Sequence, residues 1–338
     1  MITRKDKIFG GLLGAAVGDS MGAATEFLTL AQIKEWFGGN VTTYVELPDH
    51  IFLKGAVKGM VTDDFSIGYY TAVPMIEKKQ KMNDEVAIEG LINWNSDPMY
   101  SQCAGPTTKI KIAQLRGEEI QTKQERLCMN QRVTNGAGMK AGIVGLFNPG
   151  DVDGAIEDAL TMCRVTHENA IALSAGCAIA AATAKAFEES VSYLELIEAG
   201  IYGAEKGYAR AMESGAKPVA GCNIAKKIAL AAEIGLSNQG DFEGAMRQIA
   251  DVIGCGLYAY ESIPAVFGII AACKGNALDT IYMAVNAGDD TDTVACMAGY
   301  IVGAFNGVDA FPEAYLNLIN SANGYNLGKM AADIDEMV

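Results

Sequence analysis

Two short clusters of oxygen-bearing side chains lie near opposite ends of this chain. Residues 62–64 read Thr-Asp-Asp, and residues 289–293 read Asp-Asp-Thr-Asp-Thr. Both clusters offer only carboxylate and hydroxyl oxygens, which suit hard cations such as Mg²⁺ or Mn²⁺. If folding brings the clusters together, they can hold one or two metal ions and leave coordination positions for a substrate. We therefore expect a metal centre built from distant parts of the sequence.

Each cluster also has a simpler interpretation, which is helix capping. Asp and Thr favour the first turn of a helix, so capping explains residues 62–64 better when they are taken alone. The second cluster is different, because three acids in four positions exceed what a cap requires. Their mutual repulsion is destabilising unless a cation offsets it. The loop glycine and terminal glutamate of an EF-hand are missing, so a different kind of metal site is indicated.

Other segments give weaker signals. Glu26 ends a glycine-rich stretch, where a lone carboxylate is usually solvated. Residues 105–108 and 135–139 place backbone N–H groups ahead of helices, where phosphate and other anions bind. Such glycine turns are common, so neither is specific alone. His167 is more often a core or helix-start histidine than a ligand.

Composition limits the class of protein. The chain has 338 residues, half of them hydrophobic and a fifth charged, which allows a sizeable core. A net charge of −15 leaves no basic surface for nucleic acid or an anionic membrane. The eight cysteines are scattered without a zinc or disulfide pattern, which favours reduced thiols in a cytosol. No H-E-x-x-H, G-x-S-x-G or Walker motif is present.

The N-terminal segment imitates a signal peptide, because basic residues precede the apolar run Ile8–Val17. Asp19 follows at once, however, and repeated glycines fit a tightly packed first helix. No apolar run is long enough to span a membrane. We expect a cytoplasmic protein.

Helical patterns dominate the sequence, and no linker or repeat divides it. Asn83, Ser192 and Asp290 are predicted N-caps, and Pro106 suits a first helical turn. Val41–Leu47 is the best strand candidate, with Ile51–Leu53 as a second. Glycines at positions 117, 215 and 235 are predicted to end helices. We predict one all-α domain over residues 1–338, with helices at Asp63–Glu77, Asp84–Trp94, Pro106–Leu115, Asp151–Met162, Glu168–Phe187, Ser192–Met212, Cys222–Leu236, Asp241–Ile253, Ala277–Val285 and Asp290–Phe305.

Six segments, in order along nearly the whole chain, resemble motifs of the ADP-ribosylglycohydrolase family, to which crystallin J1 is related. One such match is weak, whereas six in the same order are specific. The matching segments are G-D-x-x-G-x-x-x-E within Gly10–Glu26, T-D-D at 62–64, G-P-T-T at 105–108, N-G-x-x-M at 135–139, T-H at 166–167 and D-T-D-T at 290–293.

The resemblance implies a single orthogonal multi-helix bundle with two Mg²⁺ ions in a cleft. Glu26 corresponds to an acidic residue placed near the scissile bond in several members. The metal ligands implied by position are Thr62, Asp63, Asp64, Asp290, Asp292 and Thr293. The implied contacts to ribose or phosphate are Asn135, Gly136, Ala137, Gly138, Met139 and His167.

The implied reaction is hydrolysis of an N- or O-glycosidic bond of a ribosyl group, with ADP-ribose removed from a protein side chain or small molecule. Mg²⁺ retains open positions for sugar oxygens, so two ions can chelate a ribose diol. The transition state resembles an oxocarbenium ion, which nearby carboxylates stabilise. An acid and a base are also required. Glu26 is expected to fill one of these roles, and Asp64 is a candidate base.

Three positions depart from the family pattern. Phe65 replaces the Thr or Ser common after T-D-D, Asp289 replaces a glycine, and Lys140 stands where Arg is common. Phe65 is bulky enough to reshape the pocket away from a protein-linked ADP-ribose, and Asp289 adds charge beside the metals. The few basic residues offer little clamp for a pyrophosphate. These departures bear on the substrate rather than on metal binding.

Two alternatives follow. A hydrolase of a simpler N-riboside, such as a nucleoside, would keep the ribose-chelating metals without a pyrophosphate site. A non-enzymatic, crystallin-like protein would use the fold alone. The presence of all six candidate ligands and Glu26 argues against that last interpretation.

Overall fold

The computed structural model of the protein describes residues 2–47, 55–118 and 129–338. These residues form helices and connecting turns, with two isolated β-bridges, Thr134–Tyr258 and Asn169–Lys217, and no strand. The all-α prediction is therefore confirmed. None of the described helices combines the length and apolar character needed to cross a membrane.

Sixteen α-helices follow one another in the described parts of the chain. They are α1 Arg4–Gly22, α2 Leu30–Phe37, α3 Asp63–Lys78, α4 Asp84–Ser96, α5 Pro106–Leu115, α6 Gly138–Leu146, α7 Val152–Arg164, α8 Ala170–Lys185, α9 Tyr193–Glu213, α10 Ile224–Ser237, α11 Phe242–Gln248, α12 Ala259–Ala272, α13 Ala277–Val285, α14 Thr291–Asn306, α15 Glu313–Asn323 and α16 Leu327–Asp335.

Glycines bring the backbones of α1 and α14 into direct contact. A Cβ atom on Gly18 would lie 2.1 Å from the carbonyl oxygen of Ala295, and one on Gly299 would lie 2.2 Å from that of Gly14. Any side chain at these positions would push the two helices apart. The contact continues to the end of α1, where a Cβ on Gly22 would lie 2.4 Å from the Cα of Asp292. The turn after α1 is therefore held beside the start of α14.

Asp19 joins α1 to the start of α3. Its side chain is fully buried. One carboxylate oxygen accepts from the backbone N–H of Thr62 at 2.9 Å, and the other accepts from that of Phe65 at 2.8 Å. A carboxylate at these exposed N–H groups stabilises the helix N-terminus. Through these hydrogen bonds, α1 holds the first acidic cluster close to the second.

Helix α8 lies in the core of the protein. It is buried at every residue from Ala170 to Ala184, as expected for an alanine-rich helix packed on all sides. Its contact with α6 is close, because a Cβ on Gly145 would lie 2.7 Å from the carbonyl oxygen of Ala180. Helix α8 also packs against the loop that precedes α6, because a Cβ on Gly176 would lie 3.2 Å from the carbonyl oxygen of Ala137.

Several helix ends lie where local sequence features predicted them. The side chains of Asn83 and Ser192 cap α4 and α9, and Pro106 is the first residue of α5. Gly117 and Gly215 adopt positive φ angles after their helices. The predicted stop at Gly235 is wrong: this glycine lies inside α10, where a Cβ would lie 2.1 Å from the carbonyl oxygen of Gly268. Close helix packing, rather than termination, explains this glycine.

The strand predicted at Val41–Leu47 is also wrong. The backbone of Val41 pairs with the side-chain amide of Asn286, donating at 2.7 Å and accepting at 2.8 Å, so no neighbouring strand is needed. The candidate at Ile51–Leu53 lies outside the described residues. Five further helices, α2, α6, α12, α15 and α16, were not predicted from the sequence.

Candidate active site

A cavity of about 420 Å³ opens where the ends of α1, α3 and α14 meet the loop before α6. Every predicted catalytic or metal-binding residue lines it. These residues are Glu26, Thr62, Asp63, Asp64, Asp290, Asp292 and Thr293. The fold therefore brings the two acidic clusters to one place, and adds Glu26 from the turn after α1.

The first cluster forms the N-terminal turn of α3. Thr62 is the N-cap residue, and its hydroxyl donates to Asp64 Oδ2 at 2.9 Å. The other carboxylate oxygen, Asp64 Oδ1, is buried and has no hydrogen-bond partner in the described structure. A buried carboxylate oxygen without a donor is costly. Such an oxygen fits a cation ligand.

The second cluster does more than cap α14. Asp290 occupies the N-cap position, but its side chain makes no capping hydrogen bond and instead accepts from Asn135 Nδ2 at 2.6 Å. Thr291 turns away from the cavity, since its hydroxyl donates to the carbonyl oxygen of Gly22 at 2.9 Å. Asp290, Asp292 and Thr293 face the cavity. The D-T-D-T sequence thus divides into three cavity residues and one packing residue.

Glu26 belongs to the tightest group of carboxylates. Glu26, Asp290 and Asp292 each offer one oxygen, and these three oxygens lie within 4.8 Å of one another. This spacing allows one cation to contact all three. The family position had suggested an acid–base role for Glu26, whereas the geometry places it among the candidate metal ligands as well.

The crowded carboxylates perturb one another. Burial, followed by the charges of Asp290 and Asp63, raises the pKa of Glu26 to about 8. Burial and the charge of Asp19 raise the pKa of Asp63 to about 7. Burial and the charge of Glu26 raise the pKa of Asp292 well above its ordinary value. A divalent cation would reverse these shifts by favouring the ionised forms. The donor set and its electrostatics therefore fit a hard divalent metal.

These pKa shifts predict a pH-dependent effect of metal on stability. In the folded, metal-free protein, Glu26 and Asp63 hold protons that they release when the chain unfolds. The contribution of these two groups to the free energy of unfolding therefore falls as pH rises toward about 8. Metal must displace these protons, so stabilisation by Mg²⁺ should grow from about pH 6 to about pH 9. The difference in Tm with Mg²⁺ and with a chelator, measured across this range, checks the prediction. A difference that shrinks with rising pH would contradict it.

Among the predicted ligand contacts, four residues line the cavity: Asn135, Gly136, Met139 and His167. Ala137 and Gly138 do not. Both are buried in the core, where a Cβ on Gly138 would lie 2.9 Å from the Met297 sulfur. The expected contacts from these two residues are therefore not supported by their positions.

Phe65 does not reshape the cavity, so that expectation is wrong. Its side chain is fully buried against the rings of Tyr69, Tyr300 and Tyr325. Asp289 also lies outside the cavity lining. Its backbone has φ 62°, in the region that a glycine adopts easily, and its carboxylate lies beside Gly256. Phe65 is therefore part of the aromatic core, and neither departure contributes to the cavity lining.

Asp19 lies outside the cavity lining, but its hydrogen bonds hold the start of α3, and its signal in the sequence was a charge inside an otherwise apolar helix. Several cavity residues were also not singled out from the sequence. Lys109 follows the G-P-T-T segment, and among the described cavity-lining residues it is the one lysine or arginine. Thr134 directly precedes the N-G-x-x-M loop. Other unpredicted lining residues include Phe27, Cys103 and Leu257.

The helical architecture and the acid-lined cavity place the chain among proteins with the ADP-ribosylglycohydrolase fold. A solved structure described as an ADP-ribosylglycohydrolase-related protein complex superimposes with a TM-score of 0.60 at 20% identity, covering 99% of this chain and 98% of that chain. The sequence matches the ADP-ribosylglycohydrolase family over residues 1–338, and the chain belongs to this family.

Two curated relatives align along most of their length. The uncharacterized protein YegU of Escherichia coli (strain K12) is 26% identical over 343 residues, covering 97% of this chain and 96% of that protein. ADP-ribosylhydrolase ARH3 of Xenopus tropicalis is 26% identical over 349 residues, covering 94% and 91%. Family membership supports a hydrolase of the ADP-ribosylglycohydrolase type.

Proposed function

We propose that this protein is a Mg²⁺-dependent hydrolase that releases ADP-ribose from a protein side chain or a small molecule. The observation that carries the proposal is the meeting of Glu26, Asp290 and Asp292 within 4.8 Å in a cavity that Asp64 also lines. This arrangement is costly without a cation and suits one with open coordination positions.

Seven residues form the proposed metal centre: Thr62, Asp63, Asp64, Asp290, Asp292 and Thr293, with Glu26 as an additional ligand. Their oxygen donors match two Mg²⁺ ions, with Mn²⁺ as a substitute. When bound, the metal supplies positive charge that orients ribose hydroxyl oxygens and offsets the clustered carboxylates.

The side chains account for the proton transfers. Glu26 lines the cavity beside the other carboxylates, and we assign it the proton that is donated to the leaving atom as the glycosidic bond breaks. The carboxylates around the cavity stabilise the oxocarbenium-like transition state. Water then attacks the anomeric carbon, and Asp64 accepts its proton. Asn135, Gly136, Met139 and His167 are proposed to contact the ribose or phosphate groups.

The position of Lys109 favours ADP-ribose over a simpler riboside as the substrate. Lys109 lies in the first turns of α5, whose N-terminus has no side-chain cap, and both this helix start and Lys109 line the cavity. Both attract an anionic group of the substrate. Lys109 also lies near the acidic residues. Its charge partly offsets the effect of burial, which raises the pKa of Asp63.

We expect Lys109→Gln to weaken ADP-ribose binding about 10-fold, because one charge-assisted contact to phosphate is lost. Adenosine binding should change little. Lys111→Gln is the matched control, since it changes the same residue type on the same helix outside the cavity lining. Calorimetric titration of both ligands in Mg²⁺ measures the effect. Equal losses for ADP-ribose and adenosine would contradict a phosphate role for Lys109.

The proposed function is tested with purified protein on ADP-ribosylated arginine and serine substrates and on a nucleoside panel, each with Mg²⁺ and with a chelator. Mg²⁺-dependent release of ADP-ribose supports the proposal. The alternative is a nucleoside-type hydrolase, which is favoured by the scarcity of cationic side chains around the cavity. Base release from nucleosides without ADP-ribose release would establish that alternative, and inactivity with Mg²⁺ bound would exclude both.

The remaining assignments are also proposals. We place the protein in the cytoplasm, supported by the seven described cysteines, which are all free thiols. We propose one domain over residues 1–338, with ribosylated proteins or small molecules as partners and neither nucleic acid nor membrane.

A further inference from the structure

A chain of hydrogen bonds leads from a buried lysine to the cavity wall. Lys140 is 3% exposed, and its Nζ donates to Thr166 Oγ1 at 2.5 Å. Thr166 Oγ1 lies 2.9 Å from His167 Nδ1, and His167 Nε2 lies 3.0 Å from Thr134 Oγ1. His167 and Thr134 both line the cavity, whereas Lys140 and Thr166 do not. We refer to these four residues as the Lys140 relay.

The direction of each hydrogen bond in the relay follows from its donors and acceptors. Because Lys140 donates to Thr166 Oγ1, the Thr166 hydroxyl proton must find another acceptor. The carbonyl oxygen of Cys163, at 3.4 Å, already accepts from the backbone N–H groups of Thr166 and His167. The acceptor at better distance is His167 Nδ1, at 2.9 Å. His167 then carries its proton on Nε2 and donates to Thr134 Oγ1.

Electrostatics favours the same arrangement. A neutral imidazole has a dipole whose negative end is the unprotonated nitrogen, and this end is stabilised toward a cation. Lys140 lies on the Nδ1 side of the ring. Burial, followed by the charge of Lys140, lowers the pKa of His167 to about 3, so the ring is neutral at physiological pH. A neutral ring has one proton, which this arrangement places on Nε2.

We propose that Lys140 is a positioning residue that, through Thr166 and His167, makes the Thr134 hydroxyl a hydrogen-bond donor to an oxygen atom of the bound ribosyl ligand. Once Thr134 Oγ1 accepts from His167, its own proton is free to point into the cavity. Ribose and phosphate oxygens are suitable acceptors. The identity of the ligand rests on the proposed function, whereas the direction of the relay does not.

The tautomer of His167 tests the relay without any ligand. The chain has two histidines, so a His50→Gln variant assigns the ring signals. In ¹⁵N NMR spectra of the metal-free protein, we expect His167 to carry its proton on Nε2. Thr166→Val should introduce the Nδ1-protonated form, and Thr166→Ser should restore the original state. A proton on Nδ1 in the unmodified protein, or a spectrum unchanged by Thr166→Val, would overturn the proposal.

Binding of ADP-ribose in Mg²⁺ tests the consequence. Thr166→Val and Thr134→Val should each weaken it about 10-fold. Because both act through one hydroxyl, the double variant should lose no more than either alone. Multiplied losses would overturn the proposal. Thr183→Val is the matched control, since this buried threonine lies on α8 outside the relay. If the unmodified protein binds no ADP-ribose, the proposed function fails, and the NMR result still decides the relay.

Discussion

Replacing Asp292 with asparagine is expected to weaken Mg²⁺ binding at least about 100-fold and to abolish hydrolysis. Asp292 is buried, and one of its oxygens lies within 4.8 Å of oxygens from Glu26 and Asp290. Asparagine keeps the size of the side chain but removes the charge that a cation requires. Calorimetric titration with Mg²⁺, together with the initial rate of ADP-ribose release, measures both effects.

Asp289→Asn is the control for Asp292→Asn. It makes the same chemical change three positions earlier, on a side chain outside the cavity lining, and should reduce Mg²⁺ affinity and activity far less than Asp292→Asn, because its charge acts on the site only through its neighbour Asp290. The metal-free Asp292→Asn protein should also be more stable than the unmodified one, because burial raises the pKa of Asp292 and asparagine avoids the free-energy cost of protonating this carboxylate on folding. Unchanged Mg²⁺ affinity in Asp292→Asn would refute the metal centre and favour the non-enzymatic, crystallin-like interpretation.

Glu26→Gln is expected to lower kcat by about 100- to 1,000-fold. We assign Glu26 the proton for the leaving group, and its side chain lines the cavity. Glutamine keeps the shape of the side chain but cannot supply this proton. Substrates whose leaving groups need no protonation should therefore be cleaved by Glu26→Gln at nearly the normal rate. Steady-state kinetics with a series of leaving groups measures this difference.

The same variant separates the two roles that the geometry gives Glu26. If Glu26 acts chiefly as a metal ligand, the rate loss should be recovered at high Mg²⁺ concentration and should not depend on the leaving group. That result would contradict the acid role. Glu261→Gln, a partly buried glutamate outside the cavity lining, serves as the control for the substitution itself.

The sequence predicts the parts of this structure that depend on local chemistry. Asn83 and Ser192 cap helices because a short polar side chain before an apolar periodic segment can accept a hydrogen bond from a backbone N–H group of the first turn. Asp290 and Asp292 were identified because three neighbouring acids exceed the needs of a cap. Both line the cavity, together with the other four residues of the ligand set implied by the family resemblance.

Features that depend on helix pairing were not predictable in this way. No local sequence pattern predicts that Gly18 packs against Ala295. This contact between α1 and α14 nevertheless places Glu26 beside Asp290. The side chain of Phe65 was misjudged because neighbouring helix positions point about 100° apart, so its closeness to Asp64 in sequence did not place it in the cavity. Lys109 and Thr134 likewise became part of the site only through tertiary structure.

Lys140 departs from the family pattern, and its role can be inferred only from the structure. From the sequence it was a basic residue where arginine is common. The structure buries it and connects it to His167 through Thr166. A substitution outside the cavity can therefore set the hydrogen-bonding direction of a group that lines it.

The central claim is that both acidic clusters bind a divalent metal that in turn receives the ribosyl ligand. The most direct measurement is a crystal structure with Mn²⁺ and ADP-ribose, in which the anomalous signal of manganese locates the metal. We predict manganese in contact with Glu26, Asp290 and Asp292 or with Asp64, with the ribose at the same place and a phosphate near Lys109. Manganese absent from these carboxylates, or ADP-ribose bound outside this cavity, would contradict the account.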